Sequence, residues 1–338
     1  MQQLIFQEAG FINSVIDYNY KLETNTLCLD IAYGIDKNFL FGCGISIASI
    51  LKCNEKSNLC FHVFTDYFGE DDYKYFDSLA LLYKTRIKIY LINGERFRSL
   101  PCTSNWTYAT YFRFIIADYF TNKVSKVLYL DADIICQGTI EPLIYYTFPE
   151  WIVAMVVAEG KKEWWEKRAL SLGVAGIAGG YFNAGFLFIN TKRWSTEQIS
   201  ARAIKMLSDP GIVKKIKYLD QDVLNILLTN KLIFTDVKYN TQFSLNYYLK
   251  ENFENPITND TIFIHYIGPT KPWHDWAWDY HASSAFMAAK NASPWKHSEL
   301  LKPINSNQLR YSAKHMLKKH QYIKGFINYL YYFIDKIK

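Results

Sequence analysis

Four short apolar runs alternate with longer amphipathic ones between residues 27 and 133, and this rhythm restricts the fold more than any other feature of the chain. Residues 27–33 (LCLDIAY), 60–64, 87–92 and 126–130 (KVLYL) have the length and side chains of buried strands. Residues 39–51, 73–83 and 106–120 carry helical spacing between them. Such alternation predicts an α/β domain built on a parallel, doubly wound sheet. Further on, residues 151–157, 186–189 and 261–264 read as strands and residues 196–207 and 220–228 as helices, while residues 2–20 read as a short amphipathic helix. With half of its 338 residues apolar, the chain can bury one large core or two modest ones. No repeat or Pro/Ser-rich linker divides it. The expected organisation is one domain over residues 1–285, including the helix of residues 1–20, and a helical, basic region over 286–338.

Composition also excludes function classes. The net charge of +6 is too modest to imply a nucleic-acid partner, and the seven Lys and Arg residues from Arg310 onward, against Asp335 alone, account for it. That tail is where an anionic partner would dock. Its stripe of Tyr322, Ile323, Phe326, Ile327, Leu330, Phe333, Ile334 and Ile337 suits a helix lying in a membrane interface, or equally one packed onto the rest of the protein. No run approaches the ~18 apolar residues of a membrane span. The opening MQQLIFQEAGFINS lacks a basic n-region and an apolar core, so a cytoplasmic location is expected. Six scattered cysteines without a CxxC pair fit neither a zinc knuckle nor a disulfide framework. Aromatic residues reach 17%, which matches either a carbohydrate- or membrane-facing surface or a large aromatic core.

Two segments carry chemistry. Asp131-Ala132-Asp133 leaves the end of the KVLYL strand, where open α/β sheets bind ligands, and residues i and i+2 of an extended chain project to one side. Two carboxylates can then converge on one hard cation, with the small Ala132 allowing close approach. The second segment, His265-Tyr266-Ile267-Gly268-Pro269-Thr270-Lys271, leaves the strand TIFI. His265 can add a nitrogen to the same cation, Gly268 lets backbone approach a phosphate, and Lys271 supplies a point charge. Two carboxylates and an imidazole fit Mg²⁺ or Mn²⁺. Plainer roles are open as well: a hydrogen-bonded core histidine for His265, a solvated turn for the aspartate pair.

The segments LYLDAD, YFNAGFLFIN, LDQDVLN and HYIGPTKPWH resemble, in order and spacing, glycosyltransferase family 8, and the likeness extends over nearly the whole chain. The resemblance, which is to bacterial lipopolysaccharide outer-core α-1,3-hexosyltransferases in particular, implies a GT-A fold: a Rossmann-like mixed sheet flanked by helices with a helical C-terminal appendage. It implies Asp131, Asp133 and His265 as metal ligands, and Ala32, Gly34 and Asp36 along the uridine and ribose of a UDP-sugar. Arg113 and Ala132 would lie near phosphates or sugar, Gly268 and Lys271 at the β-phosphate, and Asn183, Asp220 and Gln221 at the donor hexose. Many relatives have an acidic residue where Gly34 stands. Asp36 and Asp220 can also cap helices, Asn183 can form a turn, and Arg113 needs an anionic partner if buried.

The activity so implied is retaining transfer of galactose or glucose from the UDP-sugar to a glucose of the lipopolysaccharide core, by a protein peripheral on the cytoplasmic face of the inner membrane and needing no protein partner. Lys271 would oppose the leaving-group charge while Gln221 and Asp220 position the sugar. An α-1,2 linkage is the near alternative. A metal-dependent sugar-nucleotide hydrolase and a non-catalytic sugar-nucleotide-binding protein are rivals of other classes.

Overall fold

A computed structural model describes residues 10–22, 26–103 and 107–337. Eleven strands occur among them: β1 (Ile12–Asn19), β2 (Leu29–Ile35), β3 (Leu59–Thr65), β4 (Arg86–Ile92), β5 (Lys126–Leu130), β6 (Ile134–Cys136), β7 (Ala154–Ala158), β8 (Phe182–Asn190), β9 (Leu232–Thr235), β10 (Thr241–Gln242) and β11 (Phe263–His265). Eight form one sheet in the order β1-β4-β3-β2-β5-β8-β7-β9, and β10-β11-β6 form a second. The run β4-β3-β2-β5 is parallel, as the strand–helix alternation predicts, whereas β8 runs against both β5 and β7. The sheet is therefore mixed. Strand order reverses between β2 and β5, which opens a crevice at their C-terminal ends.

The N-terminal expectation needs correction. Residues 1–9 lie outside the described residues, and Ile12–Asn19 is strand β1, antiparallel to β4, instead of helix. Ile16 and Tyr18 pack against the core while their neighbours face outward, so a period of two fits this stretch better than a helical period. Pairing of Asp17 with Arg86 and Lys88 on β4 adds charge to an edge strand.

Each face of the large sheet carries its own apolar layer. Leu29, Ile31, Tyr33 and Ile35 of β2 pack with the helix Leu40–Cys53 on one side, and Ala32 packs with the helix Phe112–Phe120 on the other. Gly34 is small for a packing reason: a Cβ there would stand 2.8 Å from Cβ of Phe112.

The C-terminal region is knitted into this body. Phe286 of the helix Ser284–Asn291 meets Phe41 edge-on at 6.3 Å, and the Trp295 ring lies over Gly44, where a Cβ would come within 2.2 Å of it. Beyond it, the helices Ser306–Lys318 and Tyr322–Ile337 form a hairpin in which Gly325 fits against Leu317. His315 of the first helix is buried and hydrogen-bonded on both nitrogens, to Tyr280 Oη at 2.8 Å and Asn246 Oδ1 at 2.9 Å. Among the described residues no helix is long and apolar enough to cross a membrane.

Candidate active site

The site lies where the reversal of strand order opens the sheet. β5 ends at Leu130, and Asp131-Ala132-Asp133 turns the chain into β6. β6 pairs antiparallel with β11 in a register that sets Ile134 opposite His265, and the Tyr266 N–H donates to the Asp133 carbonyl at 3.0 Å. That register carries the distant histidine to the two aspartates. His265 Nε2 stands 3.1 Å from Asp133 Oδ1 and 4.0 Å from Asp131 Oδ2. Possible ligand atoms of all three residues lie within 4.8 Å of one another.

Surrounding groups suit a divalent ion. Asn240 Oδ1 lies 2.9 Å from His265 Nδ1, so that nitrogen donates its proton to the amide and Nε2 is left as a ligand. The Asn240 amide is in turn oriented by its Nδ2–H donating to Asn183 Oδ1 at 3.1 Å. Gly185 leaves the space between the ligands open, since a Cβ there would lie 2.5 Å from His265 Cε1 and 2.8 Å from Asp131 Oδ2. Two carboxylates and an imidazole form a donor set suited to Mg²⁺ or Mn²⁺. A second cluster, Asp30, Cys60 and His62, is different in kind. There both imidazole nitrogens are engaged, by Asp30 and by Tyr90 Oη at 2.9 Å each, and Arg86 and Lys88 bring positive charge close.

Electrostatic partners hold the carboxylates in place. Lys271 Nζ pairs with Asp133 and donates to the Tyr266 carbonyl at 2.7 Å. Burial would raise the Asp133 carboxyl, but Lys271 and then His265 outweigh it and hold it below the usual carboxylate range. Tyr129 Oη donates to Asp131 Oδ1 at 2.8 Å. Arg113 is buried and fully engaged, with Nη2 at 3.1 Å from Asp131 Oδ1, Nη1 at 2.9 Å from Asp220 Oδ2, and hydrogen bonds to the carbonyls of Ala184 and Thr110. Burial works against its charge, and Asp220 and Asp131 more than offset that. Its visible role is a clamp between two carboxylates, of which the buried Asp220 would be left uncompensated without it.

Gln221 sits in a second network. Its Oε1 accepts from the Ala184 N–H at 3.1 Å and from Asn183 Nδ2 at 3.2 Å, and its Nε2 donates to Glu159 Oε2 at 2.9 Å. Asp220 beside it is buried and accepts from Thr110 Oγ1 at 2.7 Å; burial raises its carboxyl and Arg113 opposes the rise. Burial likewise raises the Glu159 carboxyl.

At the first turn the residues separate. Ala32 is wholly buried in the core, Gly34 is partly exposed, and Asp36 caps the turn by accepting from the Asn38 N–H at 2.9 Å while Thr107 Oγ1 donates to it at the same distance. Gly268 has φ of +85°, in the region that favours glycine. The loop holding Lys271 is braced by Thr270 Oγ1 donating to Asn246 Oδ1 at 2.6 Å and by the Lys271 N–H donating to His274 Nδ1 at 3.1 Å. Ala132 is nearly buried, its carbonyl beside Gly42.

Glu159, Asn240, Tyr129 and Gly185 escaped the sequence reading. Tyr129 was accessible to it, being two residues before Asp131 on the same side of an extended strand. Glu159 and Asn240 carry no local signal; only the fold brings them in.

Fold and site together define a sugar-nucleotide enzyme of the GT-A type. The family described as Glycosyl transferase family 8 matches residues 30–277, and its C-terminal family matches residues 280–336, so the chain belongs to glycosyltransferase family 8. It is 77% identical over 338 residues, the full length of both chains, to lipopolysaccharide glucosyltransferase WaaO of Escherichia coli K12. To the lipopolysaccharide 1,3-galactosyltransferase of Salmonella typhimurium LT2 it is 55% identical, covering 100% of this chain and 99% of the other. Among solved structures, galactosyltransferase LgtC in complex with donor and acceptor sugar analogs superposes with a TM-score of 0.66 at 23% identity, covering 79% of this chain and 96% of that one, a likeness of fold. The protein is a glycosyltransferase.

If Asn240 fixes the His265 tautomer, Asn240→Ala should lower Mn²⁺ affinity about 10–100-fold, measured by electron paramagnetic resonance titration with UDP present. An unchanged affinity would remove Asn240 from the ligand-orienting set.

Proposed function

We propose that this glycosyltransferase moves galactose or glucose from a UDP-hexose onto a glucose of the lipopolysaccharide outer core, through an α-1,3 linkage and with retention at the anomeric carbon. Convergence of Asp131, Asp133, His265 and Lys271 at the sheet's crevice is the observation that carries the reading, because it concentrates anion-handling groups where a diphosphate would enter. The high-identity relatives act on lipopolysaccharide by name, and one of them forms a 1,3 linkage.

In this reading Asp131, Asp133 and His265 hold Mg²⁺ or Mn²⁺, which when bound neutralises diphosphate charge and so improves the leaving group. Lys271 meets the β-phosphate as negative charge builds on its oxygen. Gly268 allows backbone to approach that phosphate, and Asn183, Ala132 and Arg113 border the hexose and phosphates. Gly34 and Asp36 border the nucleoside. The bond between the anomeric carbon and the phosphate oxygen breaks, the acceptor hydroxyl attacks on the same face, and its proton passes to the departing phosphate. The Gln221 network supports this route over double displacement. Its amide oxygen already accepts two hydrogen bonds, and an amide is a poor nucleophile, so Gln221 and Asp220 position the sugar and stabilise its positive charge.

Peripheral attachment to the cytoplasmic face of the inner membrane belongs to the same proposal. Tyr322–Ile337 turns Ile323, Phe326, Leu330 and Phe333 outward, while Gly325 and Asn328 face the preceding helix. Those four side chains are exposed, and Lys318, Lys319, Lys324 and Lys336 lie near them in the chain. Such a face suits an anionic bilayer surface.

Incubating the protein with truncated lipopolysaccharide and each UDP-hexose in turn, followed by mass and linkage analysis, should yield one added hexose in α-1,3 linkage. Asp131→Asn should lower transfer by ~10²–10³-fold in a folded protein, and EDTA should stop it. Release of free hexose without acceptor gain would instead identify a hydrolase, and an α-1,2 product would correct the linkage. Phe326→Glu with Leu330→Glu should weaken cosedimentation with anionic vesicles at least about tenfold, given roughly 1.5–3 kcal/mol per buried large apolar side chain; unchanged sedimentation would refute the membrane role.

A further inference from the structure

A groove of about 590 Å³ opens between the chain following Trp273 and the C-terminal hairpin. None of its walls belongs to the donor site. Trp278 and Tyr331 present exposed rings to it. Lys302 and Lys324 line it and form no ion pair among the described residues, whereas Lys319 is engaged by Asp279 and by the Trp276 carbonyl at 2.8 Å. Asp275, within electrostatic reach of all three lysines, has a buried oxygen, Oδ1, that finds no hydrogen-bond donor.

These features ask for one kind of molecule. Aromatic faces shed water onto the C–H face of a pyranose, as in other apolar-lined ligand clefts. An acceptor oxygen lacking a donor suits a hydroxyl, because a buried polar atom left unpaired is costly. Two unpaired ammonium groups suit a phosphate, to which lysine binds as a point charge. We propose that the groove is an acceptor subsite for a phosphate-bearing oligosaccharide. This rests on the reading of the acceptor as an oligosaccharide. Asp275 on the groove wall stands four residues after Lys271 in one continuous loop, so a single short segment joins the groove to the donor site. A lipid headgroup is the poorer occupant: the groove is concave and flanked by rings, while the outward apolar stripe of Tyr322–Ile337 already offers a bilayer-facing surface.

The test uses core oligosaccharide freed of its lipid, in phosphorylated and enzymatically dephosphorylated forms, with the full-length protein and a Lys302→Gln/Lys324→Gln variant. Both lysines are exposed, so the variant should fold. The expected result is a KM for the phosphorylated acceptor raised at least tenfold, with kcat and the KM for the UDP-hexose within twofold and no change for the dephosphorylated acceptor. Trp278→Ala should raise KM for both acceptors. Calorimetric binding of the phosphorylated oligosaccharide should weaken by the same factor in the lysine variant. Equal effects on both acceptors, or none, would overturn the subsite, as would a variant that loses only vesicle binding. If the unmodified protein binds the phosphorylated oligosaccharide through these lysines yet transfers nothing to it, the subsite stands and the proposed reaction fails.

Discussion

The antiparallel pairing of β6 with β11 is the constraint on which the rest of the site depends. Only three residue pairs define it, and the backbone bond from Tyr266 to Asp133 continues it past the strand end. A slip of one residue would turn the His265 ring to the other face of the small sheet and away from Asp133. Ile134, Ile135, Phe263 and Ile264 are buried on both faces of the small sheet, so a slip would break their close packing on each side. Hydrophobic burial thus fixes an electrostatic arrangement. Asp133, drawn into the buried site by that pairing, is kept ionised by Lys271 and His265, and a buried carboxylate is tolerable only with such partners.

From this centre two networks spread. One runs from His265 through Asn240 and Asn183 to Gln221 and Glu159, so the orientations of the His265 imidazole and the Gln221 amide are set together. The other joins the Lys271 loop to the C-terminal hairpin: Thr270 and His315 share the Asn246 side-chain oxygen. Burial drives the His315 pKa down to about 3, so near neutral pH the ring is uncharged and serves as a fixed hydrogen-bonding strut. The helix Ser306–Lys318 is consequently a brace for the Lys271 loop as well as the base of the outward-facing helix that follows it.

Much of this arrangement was legible from residue order, and the exceptions have physical causes. Strands β2, β3 and β5 are largely buried on both faces and read as apolar runs, and β4, which keeps Arg86 and Lys88 partly exposed, is still rich in Ile, Tyr and Leu, so their positions followed directly. β1 misled because it is an edge strand with only one face against the core; its Asn and Asp residues obscure the period of two, and pairing with β4 decides its conformation. Antiparallel insertion of β8 was invisible, since direction is set by long-range packing. In the site, Asp131, Asp133, His265 and Lys271 announced themselves through residue type at strand ends. Arg113 stood out by residue type, but its partners did not, because a guanidinium buried between Asp131 and Asp220 depends on how the helix Phe112–Phe120 packs against the end of β5 and the helix Leu219–Leu228. Glu159 and Asn240 act through other side chains, and nothing in their own neighbourhoods marks them.

Anomalous diffraction at the manganese edge, from crystals grown with Mn²⁺ and UDP, addresses the central geometry most directly. A single peak bound by Asp131, Asp133 and His265 Nε2, and shared with the diphosphate oxygens, is the predicted result. Manganese held by the UDP alone, or by the two aspartates with His265 turned away, would contradict it.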